Sequence, residues 1–540
     1  MFWGYFFGNT KGIALLFQEQ KMIRQRLIQA AVICLMFGLL TAMCRLMEGD
    51  GITAADVISY EQKTSYEGQS SGGEELYGEG EPPREELADL SEAFSVILNE
   101  TSRDFYRGYA IDESFLLWLE KTYGEDCVER IAARVKAGEQ DFDIWYQETG
   151  CSIHVLWLGY CQRLNYSSYL LENVSWMDTA SDGRIVMDFV GDINLDDSWY
   201  TMQALSQRDG DFDACISPEL QEELQSADLT MLNNEFTYSE RGRALEGKAY
   251  TFRARPENVR YLEQLGVDLV SLANNHVCDY GDDALIDTMQ TLNDAGIQYV
   301  GAGHDIDEAT EIRYYVAAGR KIAIVSATQI EKSYTYTKQA TENTPGVLKT
   351  LNEEKFVEVI RRAEQTSDYV IAYVHWGTEG ILKLQNDQRK LAKAYIAAGA
   401  DLIIGNHSHR LQGMEYIDGV PVINSLGNFW FSNGNLYATI LQVVIDEEGS
   451  LNIAFIPCVQ EDLTTSLIQD ETEREYFFKY IADLSEGIGM DEEGNVYAMD
   501  DERYTREELD GLRFHSQKGY GFREGGYDLL GRRIDIVGNY

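Results

Sequence analysis

The fold class is decided by the stretch VDLVSLANNHVCDYGDDALIDTMQTLNDAGIQYVG, residues 267–301. It opens on a short apolar run, passes through a polar loop and ends on a second apolar run, IQYVG. Between the runs, Leu285, Met289 and Leu292 are spaced three and four apart, which predicts a helix over 283–295. The flanking runs predict strands. A strand, a helix and a strand in succession are the repeating unit of an α/β protein.

The same alternation continues on both sides of this stretch. Other apolar, β-branched runs are RIVMDFV, LTML, KIAIVSA, YVIAYV, DLIIG and VPVINSL. Helical patterns lie between them at 256–265, 353–365 and 387–398. Two later runs, YATILQVVID and LNIAFIPCVQ, are joined by the turn EEGS and predict a hairpin. We therefore predict an α/β domain over residues 184–460, with its ligand groups on loops at strand ends.

Composition sets the size of the protein and the class of its partners. The chain has 540 residues, 44% of them hydrophobic, so it can bury a sizeable core in about two to four domains. Its 90 acidic and 45 basic residues give a formal net charge of -45. Such a surface repels nucleic acid, so we expect no nucleic-acid partner, and a polyanionic ligand needs a local cationic site.

Near the N-terminus, one apolar segment is long enough to cross a bilayer. It is LIQAAVICLMFGLLTAMC, residues 27–44, and three basic residues precede it, Lys21, Arg24 and Arg26. Acidic residues dominate after it, so the positive-inside rule places the rest of the chain outside the cytoplasm. We predict a cytoplasmic N-terminus and signal anchor over 1–47, in a single-pass cell-membrane protein. A lipoprotein cleavage box ending at Cys44 is the alternative, but Met43 is bulky where that box takes a small residue.

Three other segments complete the predicted organisation. Residues 48–86 are acidic and rich in Gly and Ser, which predicts a flexible linker. Residues 87–180 show helical spacing, for example at Phe115, Trp118 and Leu119. We predict a small helical packing or docking domain there, since the alternative, a second active site, lacks a cluster of ligand-type residues. Residues 461–540 are predicted to form a C-terminal helix and tail.

Cysteine usage argues against a thiolate metal site. Six cysteines follow the anchor, and no CxxC pair or regular spacing joins them. They are Cys127, Cys151, Cys161, Cys215, Cys278 and Cys458. We predict buried free thiols, with Cys151 to Cys161 as the one disulfide pairing to test.

Residues of metal-ligand type follow five of the predicted strands. The loops supply Asp192 and Asn194, then Asn234 and Glu235, then Asn275, His276 and Asp279, then His375 and Glu379, and finally His407 and His409. A lone histidine there is usually a core or loop residue, but four of the chain's seven histidines interleaved with carboxylates predict a metal site. Oxygen and imidazole ligands suit Mn, Fe or Zn, and the lack of thiolates indicates a site open to substrate. Histidines at i and i+2 can serve one or two ions.

From residue 184 to residue 432 the chain resembles the CapA family of capsule and poly-γ-glutamate biosynthesis proteins. The resemblance is carried, in order, by GDINL, NNE, LANNHVCDYG with the following GDDALIDTMQTLNDAGIQYVGAG, HWGTE, GNHSH and SLGNF. The domain of this family is similar to calcineurin-like metallophosphatases. The resemblance therefore implies a four-layer α/β/β/α sandwich, preceded here by the transmembrane helix, the linker and the small helical domain.

The resemblance also implies two positions for divalent ions. The implied ligands are Asp192 and His409 for one ion, Asn275, His375 and His407 for the other, and Glu235 between the two. The sequence departs from metallophosphatases in the first two motifs. Asn194 stands where they carry a histidine, and Asn234-Glu235 where they carry Gly-Asp, so the first ion has one imidazole ligand fewer.

By the same resemblance, His276 is the general acid that protonates the leaving oxygen. Asp279, one helical turn away, is implied to orient His276 and raise its pKa. The alternative for Asp279 is the N-cap of the helix that follows.

Two segments are candidates for substrate binding. GKAYTFRARPENV, residues 247–259, offers Lys248, Arg253 and Arg255, which suit a carboxylate or a phosphate. Ordinary surface charge is the alternative. Asn428 follows the last strand in SLGNFWFSNGN and is predicted to line the pocket, although core packing of the neighbouring aromatic residues is the alternative.

Three functions are consistent with this pattern. The first is a membrane-anchored, metal-dependent hydrolase or transferase that cleaves a phosphoester or amide bond in an anionic polymer or its phosphorylated precursor. The second is a non-catalytic scaffold that binds the polymer beside synthase or export subunits in the membrane. The third is a cell-envelope binding protein with a structural ion.

Overall fold

The computed structural model describes residues 113–124, 126–137, 144–163, 173–179 and 183–516. The predicted signal anchor, the linker over 48–86 and the last part of the predicted tail lie outside these residues. Within the described ranges, no helix has both the length and the apolar character needed to cross a membrane.

Strands and helices alternate over most of the described chain. The strands are β1 (Val174–Trp176), β2 (Ile185–Ile193), β3 (Leu229–Asn234), β4 (Thr237–Tyr238), β5 (Arg253–Ala254), β6 (Leu269–Ser271), β7 (Gln298–Val300), β8 (Ala302–Gly303), β9 (Arg313–Ala317), β10 (Arg320–Thr328), β11 (Gly346–Val347), β12 (Tyr369–His375), β13 (Leu402–Asn406), β14 (Met414–Ile417), β15 (Val420–Ile423), β16 (Asn428–Trp430), β17 (Leu436–Ile445), β18 (Leu451–Glu461), β19 (Thr464–Leu467), β20 (Ile488–Met490), β21 (Val496–Ala498) and β22 (Phe514–His515). The helices are α1 (Glu113–Tyr123), α2 (Cys127–Lys136), α3 (Ile144–Thr149), α4 (Ile153–Arg163), α5 (Tyr200–Gln207), α6 (Pro218–Ser226), α7 (Arg260–Gln264), α8 (Asp282–Ala295), α9 (Ile306–Ala309), α10 (Glu354–Glu364), α11 (Asn386–Ile396), α12 (Glu471–Leu484) and α13 (Arg506–Asp510).

Two large sheets form the centre of the protein. The first has the strand order β1-β9-β10-β12-β13-β15-β14, and β10, β12, β13 and β15 run parallel. The second has the order β19-β18-β17-β2-β3-β6-β7, with β2, β3, β6 and β7 parallel and β16 also paired with β2. The predicted hairpin is confirmed, because β17 and β18 pair antiparallel along their whole length. In each sheet, the carboxyl ends of the parallel strands lie at one edge.

Alternating side chains on each strand define the layers. On β10, Ile322 and Ile324 face a core shared with strands of the second sheet, while Ala323 and Val325 pack against α10 and α11. The second sheet is likewise covered on its other face by helices, which include α6 and α8. The layers therefore run helix, sheet, sheet, helix, and the predicted α/β class is confirmed.

The segment predicted to be helical contains α1 to α4. Phe115, Leu119 and Ile131 are fully buried in a core that these helices share with Val316 of β9. Tyr146 of α3 donates a hydrogen bond to the carbonyl of Ala318 at 3.1 Å. These contacts hold the helices against the first sheet. The predicted domain boundaries stay predictions.

The six cysteines beyond the anchor are free thiols, so the pairing of Cys151 with Cys161 is not formed. Five of them are buried, and Cys151 is half-buried. The predicted terminal helix lies at α12. The small antiparallel sheet of β20, β21 and β22 that follows it has no counterpart in the predicted organisation.

Lys321, at the start of β10, gives a testable pH dependence of stability. It is 1% exposed, and burial lowers its pKa from 10.5 to about 7, although the neighbouring Asp368 opposes the shift. The unfolded chain therefore carries the extra proton between about pH 7 and 10, so Lys321 contributes a rise in the free energy of unfolding with pH across that window, of at most about 1.4 kcal/mol per unit. In urea unfolding from pH 7 to 10, the slope of the free energy of unfolding against pH should be more positive in the parent protein than in Lys321→Met.

Lys355→Met is the matched control, because Lys355 is an exposed lysine paired with Glu358. Its slope should equal that of the parent protein. A Lys321→Met slope equal to the parent slope would show that Lys321 keeps its ordinary pKa in the folded chain.

Candidate metal centre

The carboxyl ends of strands from both sheets bring the predicted ligands together. Asp192 is the next-to-last residue of β2, and His375 is the last residue of β12. Glu235 and His407 directly follow β3 and β13, and Asn275 lies in the loop after β6. The site is therefore shared between the two sheets. It lies at the carboxyl ends of their parallel strands, and these five residues are buried.

The ligand atoms form two groups that share one carboxylate. Glu235, His375 and His407 each offer an atom within 4.8 Å of the others, and so do Asp192, Glu235 and His409. Glu235 Oε1 lies 3.5 Å from His375 Nε2, and Asp192 Oδ2 lies 3.1 Å from His409 Nδ1. This is the grouping that the resemblance implies, with Glu235 between two positions.

Asn275 belongs to the group around His375. Its Oδ1 lies 2.7 Å from His375 Nε2, so an amide oxygen and an imidazole nitrogen face the same point. The structure therefore brings Asn275 together with the residues predicted to share its ion.

The chemistry of these buried atoms fits a divalent cation. Within the described part of the chain, Glu235 Oε1 and His407 Nδ1 have no hydrogen-bond partner, although both side chains are buried. Burial, reinforced by the charge of Asp192, raises the pKa of Glu235 well above its ordinary value. A cation placed among oxygen and imidazole ligands supplies the missing interactions and stabilises the carboxylate.

The histidines differ in the charge state that the pocket favours. Burial lowers the pKa of His375 and of His407 well below the usual value, so both are neutral imidazoles with a lone pair available to an ion. Burial also acts to lower the pKa of His409, but the hydrogen bond and charge of Asp192 outweigh it, and that pKa is raised. Asp192 thus favours the protonated form of His409, and a cation bound there has to displace that proton.

The loop after β13 holds its two histidines in an unusual backbone conformation. His407 has φ 89° and His409 has φ 54°, both in the left-handed region that non-glycine residues rarely adopt. Such conformations cost on the order of 1–3 kcal/mol each and persist at functional sites. The two side chains are thereby directed to the two ligand groups described above.

Asn233 organises the site, and the sequence analysis did not single it out. Its Nδ2 lies 2.8 Å from Asp192 Oδ1, 3.2 Å from Glu235 Oε2 and 3.3 Å from His375 Nδ1. The neighbouring Asn234, which was singled out, instead donates to the carbonyl of Phe236. Strand alternation could have identified Asn233 from the sequence. Residues at i and i+2 of a strand share a face, so Asn233 lies on the same face as Glu235.

His276 lies at the edge of the centre and is held by Asp279. The carboxylate can only accept, so His276 Nδ1 donates to Asp279 Oδ2 at 2.7 Å, and His276 Nε2 lies 3.9 Å from Glu235 Oε1. Asp279 Oδ2 also accepts from the backbone N–H of Phe252 at 2.8 Å. Lys248 Nζ completes the arrangement by donating to Asp279 Oδ1 and to the carbonyl of Asn275.

The alternative given for Asp279 and the pKa shift implied for His276 are both corrected. Asp279 does not cap α8, whose N-cap residue is Gly281. The pKa of His276 is lowered rather than raised, because burial outweighs the contribution of Asp279 and Lys248 also lowers it. The neutral ring that burial favours carries its proton on Nδ1, toward Asp279, so its Nε2 has a lone pair and can accept a proton.

The residues predicted to contact substrate lie in different surroundings. Lys248 is almost fully buried against Asp279, so its charge is already paired. Arg255 is exposed and pairs with Asp197, whereas the guanidinium of Arg253 lies over the ring of Tyr280, 4.3 Å from its centroid. Asn428 is buried, and its Oδ1 lies 2.8 Å from His409 Nδ1, so it positions that imidazole.

Asn194 is the residue that stands in place of a histidine ligand. Its Oδ1 accepts from the backbone N–H of Asp196 at 2.8 Å, which stabilises the turn after β2. It is buried, and its Nδ2 has no hydrogen-bond partner among the described residues.

Aromatic rings cover one side of the centre. The Phe252 ring lies 4.4 Å from that of His276, and the Phe431 ring lies 4.5 Å from that of His409, measured between centroids. Trp199 packs edge-on against both phenylalanines. These apolar side chains restrict water around the two imidazoles and so strengthen electrostatic interactions there.

Known proteins share this part of the chain. The family described as "Bacterial capsule synthesis protein PGA_cap" matches residues 186–433, which include every residue of the two ligand groups. The chain belongs to the CapA family.

Curated members of the CapA family are similar over the same region. The PGA biosynthesis protein CapA of Bacillus subtilis (strain 168) is 32% identical over 260 residues, which are 47% of this chain and 66% of that protein. The capsule biosynthesis protein CapA of Bacillus anthracis is 31% identical over 211 residues, 38% of this chain and 50% of that protein. A probable polyglutamine synthesis accessory protein of Mycobacterium tuberculosis is 28% identical over 38% of this chain and 55% of its own length. The chain thus spans between half and two thirds of the curated relatives it matches.

Proposed function

We propose that this CapA-family chain acts in capsule or poly-γ-glutamate biosynthesis or export through a centre that holds one or two divalent ions, Mn, Fe or Zn. The observation that carries the proposal is the pair of ligand groups sharing Glu235, whose buried Oε1 has no hydrogen-bond partner in the described residues. The role in polymer biosynthesis is supported by the relatives' names. Anionic polymer or a phosphorylated precursor is the proposed ligand, with synthase or export subunits as partners.

We further propose that the centre catalyses hydrolysis of a phosphoester or amide bond. An ion held by these residues would act as a Lewis acid toward the bond to be broken. His276 is the group placed to move a proton, since its Nε2 faces the ligand groups while Nδ1 is held by Asp279. Asp279 keeps the ring oriented, and the hydrogen bond from Phe252 keeps Asp279 in place. Phe252 and Phe431 limit the access of water to the reacting groups.

The location of the site is also a proposal. The apolar stretch over 27–44, with basic residues before it and acidic residues after it, supports a membrane anchor with the site outside the cytoplasm. Protease added to intact cells should then digest the α/β region, whereas complete protection would contradict this topology.

Metal analysis of the purified full-length chain tests the proposal. We expect one or two equivalents of a transition metal in the parent protein and a loss of at least about tenfold in affinity for it in His407→Ala. His304→Ala is the matched control, because His304 is an exposed histidine paired with Glu308, away from the centre. A parent protein that takes up no Mn, Fe or Zn, or a His407→Ala variant that retains metal as well as His304→Ala does, would refute a metal centre.

Turnover by His276→Ala separates the enzyme from the scaffold. Since His276 belongs to neither ligand group, the variant should keep its metal while losing about 10²- to 10⁴-fold in hydrolysis of a model phosphodiester or a γ-glutamyl polymer. The scaffold is the second candidate, and the turn made by Asn194 favours it, because the Oδ1 of this residue accepts from the backbone N–H of Asp196 instead of contacting an ion. Bound metal without turnover in the parent protein would favour the scaffold.

A further inference from the structure

A cavity of about 420 Å³ lies beside the metal centre and is not part of it. Its lining includes Arg253, which follows Phe252, and Tyr280, which follows Asp279. Phe252 and Asp279 both contact His276. The cavity wall and the contacts of His276 are therefore formed by neighbouring residues of the same two segments.

Five charged side chains line the cavity, and most of them are engaged with one another or with the backbone. They are Asp196, Asp197, Glu240, Arg253 and Arg255. The Asp196 carboxylate accepts from the N–H and hydroxyl of Ser198 and from the backbone N–H of Arg253. Asp197 accepts from the guanidinium and backbone of Arg255. Asp197 and Arg255 therefore form an ion pair, whereas Asp196 keeps its negative charge and is held in the wall by neutral hydrogen-bond donors.

Arg253 and Glu240 are opposite in sign and do not pair with each other. Arg253 lies over Tyr280 and donates one hydrogen bond, at 3.4 Å, to the carbonyl of Arg241. No carboxylate lies within ion-pair distance of its guanidinium in the described residues, so most of its five donors remain available. Glu240 directly precedes Arg241 and has no hydrogen-bond or ion-pair partner among the described residues. The cavity thus presents a separated cation and anion.

We propose that this cavity binds an α-amino-acid head group, a carbon that carries both an ammonium and a carboxylate. Arg253 binds the carboxylate in bidentate fashion, and Glu240 binds the ammonium. A simple anion satisfies Arg253 alone and is repelled by Glu240, whereas a zwitterionic head group satisfies both. The chain has a formal net charge of -45, so a site for a simple anion needs more cationic than anionic side chains around it.

The inference rests on the proposed function in one respect, the source of the head group. The amino-terminal residue of a γ-linked glutamate chain carries a free ammonium and a free carboxylate on the same carbon. Every other residue of that chain has its nitrogen in an amide. The cavity would therefore recognise the end of a polymer rather than its interior, next to the metal centre. A free amino acid has the same head group, so the experiment must separate the two sources.

Calorimetric titration of the purified full-length chain with the γ-linked dipeptide of glutamate, in its L and D forms, tests the proposal. We expect binding of at least one form that weakens about tenfold or more when the dipeptide is N-acetylated. Arg253→Gln and Glu240→Gln should each weaken binding by a similar factor. In the Glu240→Gln variant, N-acetylation should not weaken binding further, because the ammonium that it removes has already lost its partner, Glu240.

The matched controls remove the same types of charge at positions that do not line the cavity. Arg243→Gln and Glu222→Gln remove exposed charged residues that do not line it, and both should bind as the parent protein does. Free glutamate that binds as well as the dipeptide supports the head-group site and assigns it to a free amino acid, whereas tighter dipeptide binding assigns it to a chain end. Absence of binding by either dipeptide, equal binding of the acetylated form, or unchanged binding by Arg253→Gln would overturn the proposal.

Metal content measured on the same samples separates this inference from the proposed function. Head-group binding that depends on Glu240 in a metal-free protein would leave the cavity assignment standing and remove the metal centre. Stoichiometric metal with no effect of Arg253→Gln or Glu240→Gln would do the reverse.

Discussion

Gly191→Ala should destabilise the protein by about 3 kcal/mol or more and lower its metal content. A Cβ at residue 191 would lie 1.9 Å from the carbonyl oxygen of Gly427, which accepts a hydrogen bond from the backbone N–H of Asp192. Gly427 has little room to retreat, because a Cβ built on it would lie 2.8 Å from the carbonyl carbon of Arg410 and 2.9 Å from the backbone nitrogen of Leu411. The clash is between backbone atoms, so no side-chain rotation relieves it.

The effect on metal follows from the same contact. Asn428, the next residue after Gly427, positions the imidazole of His409 through a 2.8 Å hydrogen bond. Displacement of this segment therefore separates His409 from Asp192. Urea unfolding followed by tryptophan fluorescence, together with metal analysis, measures both effects.

Gly434→Ala is the matched control, since the nearest atom to a Cβ there is 3.5 Å away, which is an ordinary contact. We expect a change within about 0.5 kcal/mol and unaltered metal content. A Gly191→Ala protein as stable as Gly434→Ala would show that β16 does not lie against β2 as the structure has it.

Lys248→Met should cost about 3–5 kcal/mol, because it leaves the carboxylate of Asp279 buried without a cation. The side chains of Lys248 and Asp279 are 8% and 0% exposed. Asp279 would keep its hydrogen bonds from His276 and Phe252, but these do not replace the lost charge. Urea unfolding near neutral pH measures the loss.

A double mutant isolates the ion pair from the other effects. Asp279→Asn removes the charge that Lys248 neutralises, so Lys248→Met combined with Asp279→Asn should cost less than the sum of the single changes. Lys338→Met is the matched control, because Lys338 pairs with Asp282 on the surface and should contribute about 0–1 kcal/mol. Additive single changes, or a Lys248→Met effect no larger than that of Lys338→Met, would contradict a buried pair.

Local pattern was enough to predict the alternating elements. The helix predicted over 283–295 spans Asp282–Ala295, and the one predicted over 353–365 spans Glu354–Glu364. Both helices have an apolar face that packs against a sheet, so the apolar spacing in the sequence matches the helix in the folded protein. The short helices α5 and α6 were not predicted, since each presents only two or three turns of pattern.

The candidate site could be predicted at the level of residue type. Asp192, Glu235, His375 and His407 come directly at strand ends, and parallel strands bring their carboxyl ends to one edge. The role of Asn233 was not predicted, because it depends on which face of β3 turns inward. The pKa shift of His276 was also predicted in the wrong direction, because the burial of this side chain cannot be inferred from the residues next to it in the sequence.

The amino-acid sequence by itself determined that strands and helices alternate and that ligand-type residues follow the strands, because both are periodicities within a few residues. Only the tertiary structure decided that Glu235 is shared by two ligand groups and that Lys248 forms a buried ion pair with Asp279. It also decided that Arg253 and Glu240 line the same cavity. The physical reason is distance along the chain: Asn233 meets partners 41 and 142 positions away, and such contacts depend on how two whole sheets pack.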